Sequence, residues 1–376
     1  MKILLKDAVV YPITSSMIQY GDVLVENGII KEVKDTIIGH QDAKVIDCSG
    51  QHLTPGLIDV HTHLGLYDEG TGWAGNDANE SIEPMTPHIR AIDGVYPLDE
   101  GFLNARSHGV TTVNILPGSA NVIGGITAII KTNGKTVQSM IVNPESGLKM
   151  ALGENPKRMH SNGSNDSITR MGIMGMLREQ LYLAKNFDGT NDLRLSALQK
   201  ALSREIPVRI HAHRADDIVT AIRLAEEFDL DLRIEHCTEG HLITDEVKRS
   251  GAKVCVGPTF TRKSKVELRN KSWKTYQVLH DAGIEVSITT DHPYTPIQYL
   301  NVCAAIAVRE GLSIQAALEA ITINPAKNLG IGDKIGSIEP GKEADLVLWS
   351  EHPLHFMSSP VFTMIKGDIV YQDQKK

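Results

Sequence analysis

"PGLIDVHTHLG", residues 55–65, sets two histidines one residue apart at the end of an apolar run. Side chains along a strand alternate with period two, so His61 and His63 project to the same face. Two neutral imidazoles about 6 to 7 Å apart along a strand can turn toward one metal ion. As core histidines, each would need its own buried hydrogen-bond partner, because a desolvated polar group without one is costly. This stretch alone leaves both readings open.

Working outward from it, residues 56–335 alternate short apolar strands with longer stretches of helical spacing. Eight strand candidates can be read: "LIDVHTH" (57–63), "VTTVNIL" (110–116), "ITAIIK" (126–131), "LKMALG" (148–153), "VRIHAH" (208–213), "LRIEHC" (232–237), "KVCVG" (253–257) and "EVSITTD" (285–291). Helical candidates separate most of them. In "ADDIVTAIRLAEEF" (215–228), Ile218, Ile222 and Ala225 share one side while Asp216 and Asp217 occupy the first turn. Eight such units predict an α/β fold of the (β/α)8 TIM-barrel type, whose usual size is about 250 residues or more. The structural alternative is a doubly wound open sheet, but no GxGxxG or GxxxxGK[ST] follows any of these strands.

The ends of the chain read differently, as antiparallel β. In "GDVLVENGIIKEV" (21–33) two alternating runs flank Asn27-Gly28, the dipeptide suited to a type I′ hairpin. "GSIEPGKEADLVLWS" (336–350) and "VFTMIKGDIVYQ" (361–372) repeat the theme, with turns at Gly341 and Gly367. The expectation is therefore a small composite β-sandwich built from residues 1–55 and 336–376 around a barrel of residues 56–335.

Composition narrows the partners. The chain has 376 residues, 41% of them hydrophobic, and a net charge of -8. Without a basic stripe to grip phosphates, nucleic acid is excluded as a ligand and a small molecule is expected. No apolar run reaches the roughly 20 residues that span a bilayer, so no membrane partner is expected. Cys48, Cys237, Cys255 and Cys303 lie far apart with no CxxC pair, which fits a reducing cytoplasm. Whether copies assemble into a homo-oligomer stays open.

Polar residues recur where barrel enzymes gather their catalytic groups, at carboxyl ends of strands. His211 closes "VRIH", His236 closes "LRIEH" and Asp291 closes "VSITTD". Together with His61 and His63 they form a candidate metal site.

On "PGLIDVHTH", His211, "IEHC", "TTDHP" and "GSIEPGKEADLVLW", the chain resembles the amidohydrolase superfamily of metal-dependent hydrolases, and within it the imidazolonepropionase-like and prolidase-like members. The resemblance implies that His61, His63, His211 and His236 hold one or two divalent ions, zinc or another, that acidify a water. That water would then hydrolyse a C–N bond in an amide, a cyclic amide or an aminated ring. Asp291 would bind the metal or the water, accept its proton and pass it to the leaving nitrogen. The family's bridging position has two candidates in "GLKMALGENPKR" (147–158). Glu154, already charged and at the strand's end, is preferred over a carboxylated Lys149, since five residues of extended chain, about 16 Å, separate them. A non-catalytic binding or assembly protein on the same fold is the alternative.

Other residues carry open assignments. His213 shares a face with His211 and is read as substrate-binding or as a supporting hydrogen-bond partner, and His241 as lining the mouth. The acidic, glycine-rich loop 65–84 is expected to form a wall or lid. A helix capped by Ser167 or Thr169 is expected to follow the stretch at 160–170.

Overall fold

The computed structural model describes residues 1–159 and 168–373. The N-terminal arm comprises β1 (Lys2–Val10), β2 (Ile18–Glu26), β3 (Ile29–Lys34), β4 (Lys44–Asp47) and β5 (His52–Pro55). Asn27 and Gly28 join β2 to β3 with φ values of 51° and 80°, the pair of positive angles that a type I′ turn needs. β1 pairs in parallel with β4 through Ile3–Lys6, then with β5 through Val9 and Val10. The changeover falls at Asp7, whose φ of 61° marks a break in the β1–β2 register.

All eight strand candidates form and lie in one sheet: β6 (Leu57–Thr62), β7 (Val110–Ile115), β8 (Ile123–Lys131), β9 (Ile141–Ala151), β10 (Val208–Ala212), β11 (Leu232–His236), β12 (Lys253–Val256) and β13 (Val286–Ile288). The sheet is TIM-like but departs from strict β/α alternation, because β8 runs antiparallel to both β7 and β9. Loop length is the reason. Residues 116–122 and 132–140 are all that connect these strands, and a parallel crossover takes a dozen or more residues. The remaining neighbours pair in parallel.

Closure between β13 and β6 relies on side chains as well as backbone. His63 N donates to His292 O at 2.9 Å. Buried Asp59 accepts from Thr289 Oγ1 at 2.5 Å, from Thr290 Oγ1 at 2.5 Å and from Thr290 N at 3.0 Å.

The C-terminal arm, β14 (Leu346–Trp349), β15 (Pro360–Ile365) and β16 (Asp368–Gln372), adds to β5 through β14. Both arms thus share one β sheet. Its eight strands form a single continuous hydrogen-bonded sheet. Strand alternation lets β14 serve two cores at once: Leu346 and Leu348 join the terminal cluster, while Val347 and Trp349 join the barrel cluster. Thr169 caps the helix Arg170–Lys185 by accepting from Gly172 N, and Ser167 lies outside the described residues. Among the described residues no helix is long and apolar enough to cross a membrane.

Candidate metal centre

The barrel mouth collects its polar groups by two routes. Period-two alternation along β6 brings Asp59, His61 and His63 inward, and in β10 it places Arg209 and His211 on the same face. Parallel register then sets Glu235 beside His211. The next residue along β11, His236, would by alternation point away from the interior. Instead, left-handed backbone at His236 (φ 70°) and Cys237 (φ 42°) turns its ring back into the mouth. Asp291 is likewise left-handed, at φ 53°. Such conformations in non-glycine residues cost roughly 1–3 kcal/mol each and persist where the surroundings impose them.

The rings of His61 and His236 lie 4.8 Å apart, and those of His211 and His236 lie 4.4 Å apart. Their outer partners settle which nitrogen faces the centre. His63 Nδ1 lies 2.7 Å from Leu116 O and His236 Nδ1 lies 2.6 Å from Gly257 O. A carbonyl only accepts, so both Nδ1 atoms carry the proton and both Nε2 atoms present lone pairs inward. His61 Nδ1 similarly donates to the Glu235 carboxylate at 2.7 Å.

Asp291 Oδ1 therefore faces the bare Nε2 of His63 at 3.2 Å and that of His61 at 3.4 Å. Acceptors at such a distance repel unless a cation lies between them. Asp291 Oδ1 and both nitrogens of His211 are buried without a hydrogen-bond partner. This donor set fits a divalent ion of zinc type, which takes imidazole nitrogen and carboxylate oxygen.

Electrostatics prepare the ligands. Burial lowers the pKa of His61 to about 3, helped by the Lys149 charge and opposed by Glu235. Burial also lowers His236, and lowers His211 well below its usual value, so these imidazoles are neutral at pH 7. Burial pushes Asp291 upward, and only protonated forms of His63, His236 and His61 would hold it low.

A supporting layer lies beneath. Glu235 bridges His61 and Arg209, accepting from Arg209 Nη1 at 2.9 Å through its other oxygen. Both residues are wholly buried, and Arg209 also donates to Asn328 Oδ1 at 3.0 and 3.1 Å. Sequence reasoning missed this pair, although a charged residue inside each apolar strand, Arg209 in "VRIH" and Glu235 in "LRIEH", was a usable signal.

Several expected roles change. Glu154 does not reach the centre: it begins the short helix Glu154–Met159 and its Oε2 accepts from Glu267 N at 3.3 Å. Lys149 does reach it, with Nζ 3.3 Å from His61 Nε2. The strand arithmetic was sound for the backbone but neglected the lysine stem, which carries the amine upward. His241 turns away from the mouth, its Nδ1 lying 3.0 Å from Thr275 Oγ1 beside the helix Lys274–Asp281. His213 does line the cavity with His63, His211, His236 and Asp291, in a space of about 460 Å³. Tyr67, Trp73, Asn76, Asn79 and Ser81 of the loop 65–84 wall a neighbouring chamber of about 680 Å³.

Fold and site together define a class: a TIM-like barrel protein with a candidate divalent-metal centre at its mouth. The chain belongs to the amidohydrolase family, whose model matches residues 52–370. An amidohydrolase from Thermotoga maritima, known from its crystal structure, superposes with a TM-score of 0.95 at 42% identity, over 99% of this chain and 100% of that one. Amidohydrolase tasK of Hapsidospora irregularis is 32% identical over 94% of this chain, which spans only 40% of that protein's length. An imidazolonepropionase from Thermoplasma acidophilum is 26% identical, over 93% of this chain and 88% of that one.

Proposed function

We propose that the protein is a metal-dependent amidohydrolase that uses water to cleave a C–N bond in a small molecule. The observation that carries this reading is the approach of His61 Nε2 and His63 Nε2 to the partnerless Asp291 Oδ1, with His236 in the same cluster of ligand atoms. His61, His63, His211, His236 and Asp291 would hold one or two divalent ions, zinc or one of similar ligand preference. When bound, such an ion supplies Lewis acidity, lowering the pKa of water from 15.7 toward about 7 and polarising a carbonyl.

The chain's own residues do the rest. Asp291 takes the proton of the attacking water at its carboxylate and delivers it to the departing nitrogen. Glu235 holds His61 in the tautomer whose Nε2 faces inward. Phe260 and Tyr294 provide apolar wall, with Arg262 and Lys265 at the cavity edge. The cavity suits a small molecule, and the family membership of the relatives supports a C–N target.

The test combines metal analysis with activity on cyclic amides, dipeptides, N-acyl amino acids and aminated heterocycles. One to two equivalents of divalent metal are expected, with hydrolysis lost on chelation and restored on reloading. Asp291→Asn should keep its thermal transition and lose about 10²- to 10⁴-fold in turnover. Full activity after chelation, or in Asp291→Asn, would remove the reading.

A further inference from the structure

The cavity at the metal centre continues past the metal ligands. It shares Ser119, Asn155, Arg262, Lys265 and Tyr294 with the neighbouring chamber of about 680 Å³, so the two spaces meet along one wall. Asp291 is the one carboxylate among the described residues lining the first space, and none lines the second. Two cations therefore stand at the junction, in a chain whose net charge is -8. Charge of one sign in a cleft focuses the field there and draws in the opposite sign.

The loop that follows β12 holds both cations in place. Lys271 Nζ donates to Thr261 O at 2.5 Å, to Thr261 Oγ1 at 2.6 Å and to Arg262 O at 3.3 Å, gathering the loop's oxygens around one ammonium. Lys265 Nζ donates to Asn155 Oδ1 at 2.7 Å and to Glu267 Oε1 at 3.2 Å, which leaves the third of its N–H donors unused. Asn155 is fixed in turn, its Nδ2 donating to Ser119 Oγ at 2.6 Å. Glu267 balances the charge of Lys265, so the uncompensated charge is that of Arg262. Its guanidinium has no hydrogen-bond or ion-pair partner among the described residues, which leaves its N–H fork for a ligand.

We propose that this junction is a subsite for a carboxylate on the substrate, held by Arg262 and Lys265 while the scissile C–N bond lies at the metal centre. The proposal deepens the hydrolase reading above and rests on it. A guanidinium presents paired N–H groups that match a planar carboxylate, whose remaining lone pairs serve the Lys265 ammonium. The substrate class is thus an acid-bearing amide, such as an N-acyl amino acid, a dipeptide or a cyclic amide with a carboxylate arm, rather than a neutral lactam or an aminated heterocycle.

The experiment uses metal-loaded full-length protein and matched pairs: N-acyl amino acids and dipeptides against their C-terminal carboxamides, and cyclic amides with and without a carboxylate arm. Each acid should exceed its neutral partner about 10- to 150-fold in kcat/KM, the range that a hydrogen bond to a charged group supplies. Added salt should raise the KM of the acids, as for any charge pair open to water. Arg262→Gln should bring the acid-to-neutral ratio close to one, chiefly by raising the KM of the acids, with metal content as in wild type. Arg262→Lys should restore part of the ratio. Arg269→Gln, the same substitution on the same loop but outside both chambers, should behave as wild type. Equal kcat/KM for acids and neutral partners in wild type, or a preference that survives in Arg262→Gln, overturns the subsite and spares the hydrolase reading. No hydrolysis of any pair defeats both.

Discussion

Lys149 shows how much one side chain decides. It is buried among neutral imidazoles, and burial lowers its pKa from 10.5 to about 8. An ammonium has no lone pair to give, but a neutral amine can add to carbon dioxide and become an anionic carbamate. Metal occupancy of the wild type should accordingly rise when bicarbonate is supplied near pH 8. Lys149→Ala should abolish that dependence and lower occupancy, whereas Glu154→Gln should leave both unchanged. Elemental analysis of the three proteins, reloaded with and without bicarbonate, decides the matter. Full occupancy in Lys149→Ala would exclude the lysine. The sequence placed His61, His63, His211, His236 and Asp291 at strand ends, and the structure brings all five together. The Lys149–Glu154 choice turned on side-chain reach, and His236 on a backbone reversal, which strand alternation does not report.

At the scale of elements, the seam between β13 and β6 holds Asp291 in place. Asp59 binds both threonines that precede Asp291, and Asp291 N donates to Thr289 Oγ1 at 3.2 Å. Replacing Asp59 with Ala would strand the buried Thr290 hydroxyl and the Thr290 amide, while Thr289 Oγ1 keeps His61 O as acceptor at 2.6 Å. A buried polar group left without a partner costs about 1–3 kcal/mol, so the loss should be roughly 3 kcal/mol or more in urea unfolding. Hydrogen exchange at the Thr290 amide should speed up well before global unfolding. Unchanged protection there would show that the backbone alone closes the barrel. The reversed β8 belongs to the same scale. Its direction was readable from its short connections, yet eight apolar segments of similar length suggested eight equivalent units.

Across the whole molecule, that reversal has a structural use. Because β8 runs backwards, its last residue, Lys131, emerges at the barrel end beside Thr112, near the start of β7. There it meets Asp345 at 2.5 Å and Glu343 at 3.0 Å, joining the barrel to the C-terminal arm. Burial alone would lower its pKa, but Asp345 and Glu343 outweigh that and raise it above 10.5. A raised lysine contributes stability that is fully present below the unfolded value of 10.5 and lost as pH climbs through the folded one. Thermal or urea unfolding should therefore show an alkaline decline above about pH 10.5 from this group. Lys131→Met should remove that decline. It should also cost about 3–5 kcal/mol at neutral pH, since it leaves Asp345 buried opposite no cation. An identical alkaline limb in the variant would acquit the pair.

Periodicity in the sequence was enough to determine the eight barrel strands, the Asn27-Gly28 hairpin, the β character of both terminal arms and the strand-end histidines. These follow from local rules: alternation in strands, positive φ at Asn-Gly, and helical spacing between. Only the tertiary structure decided the continuity of the terminal sheet, the burial of Arg209 with Glu235, the turn of His236 into the mouth, and Lys149 rather than Glu154 at the centre. Each of these depends on how far a side chain reaches or which strand lies beside which, and neither distance is written in the order of residues along one chain.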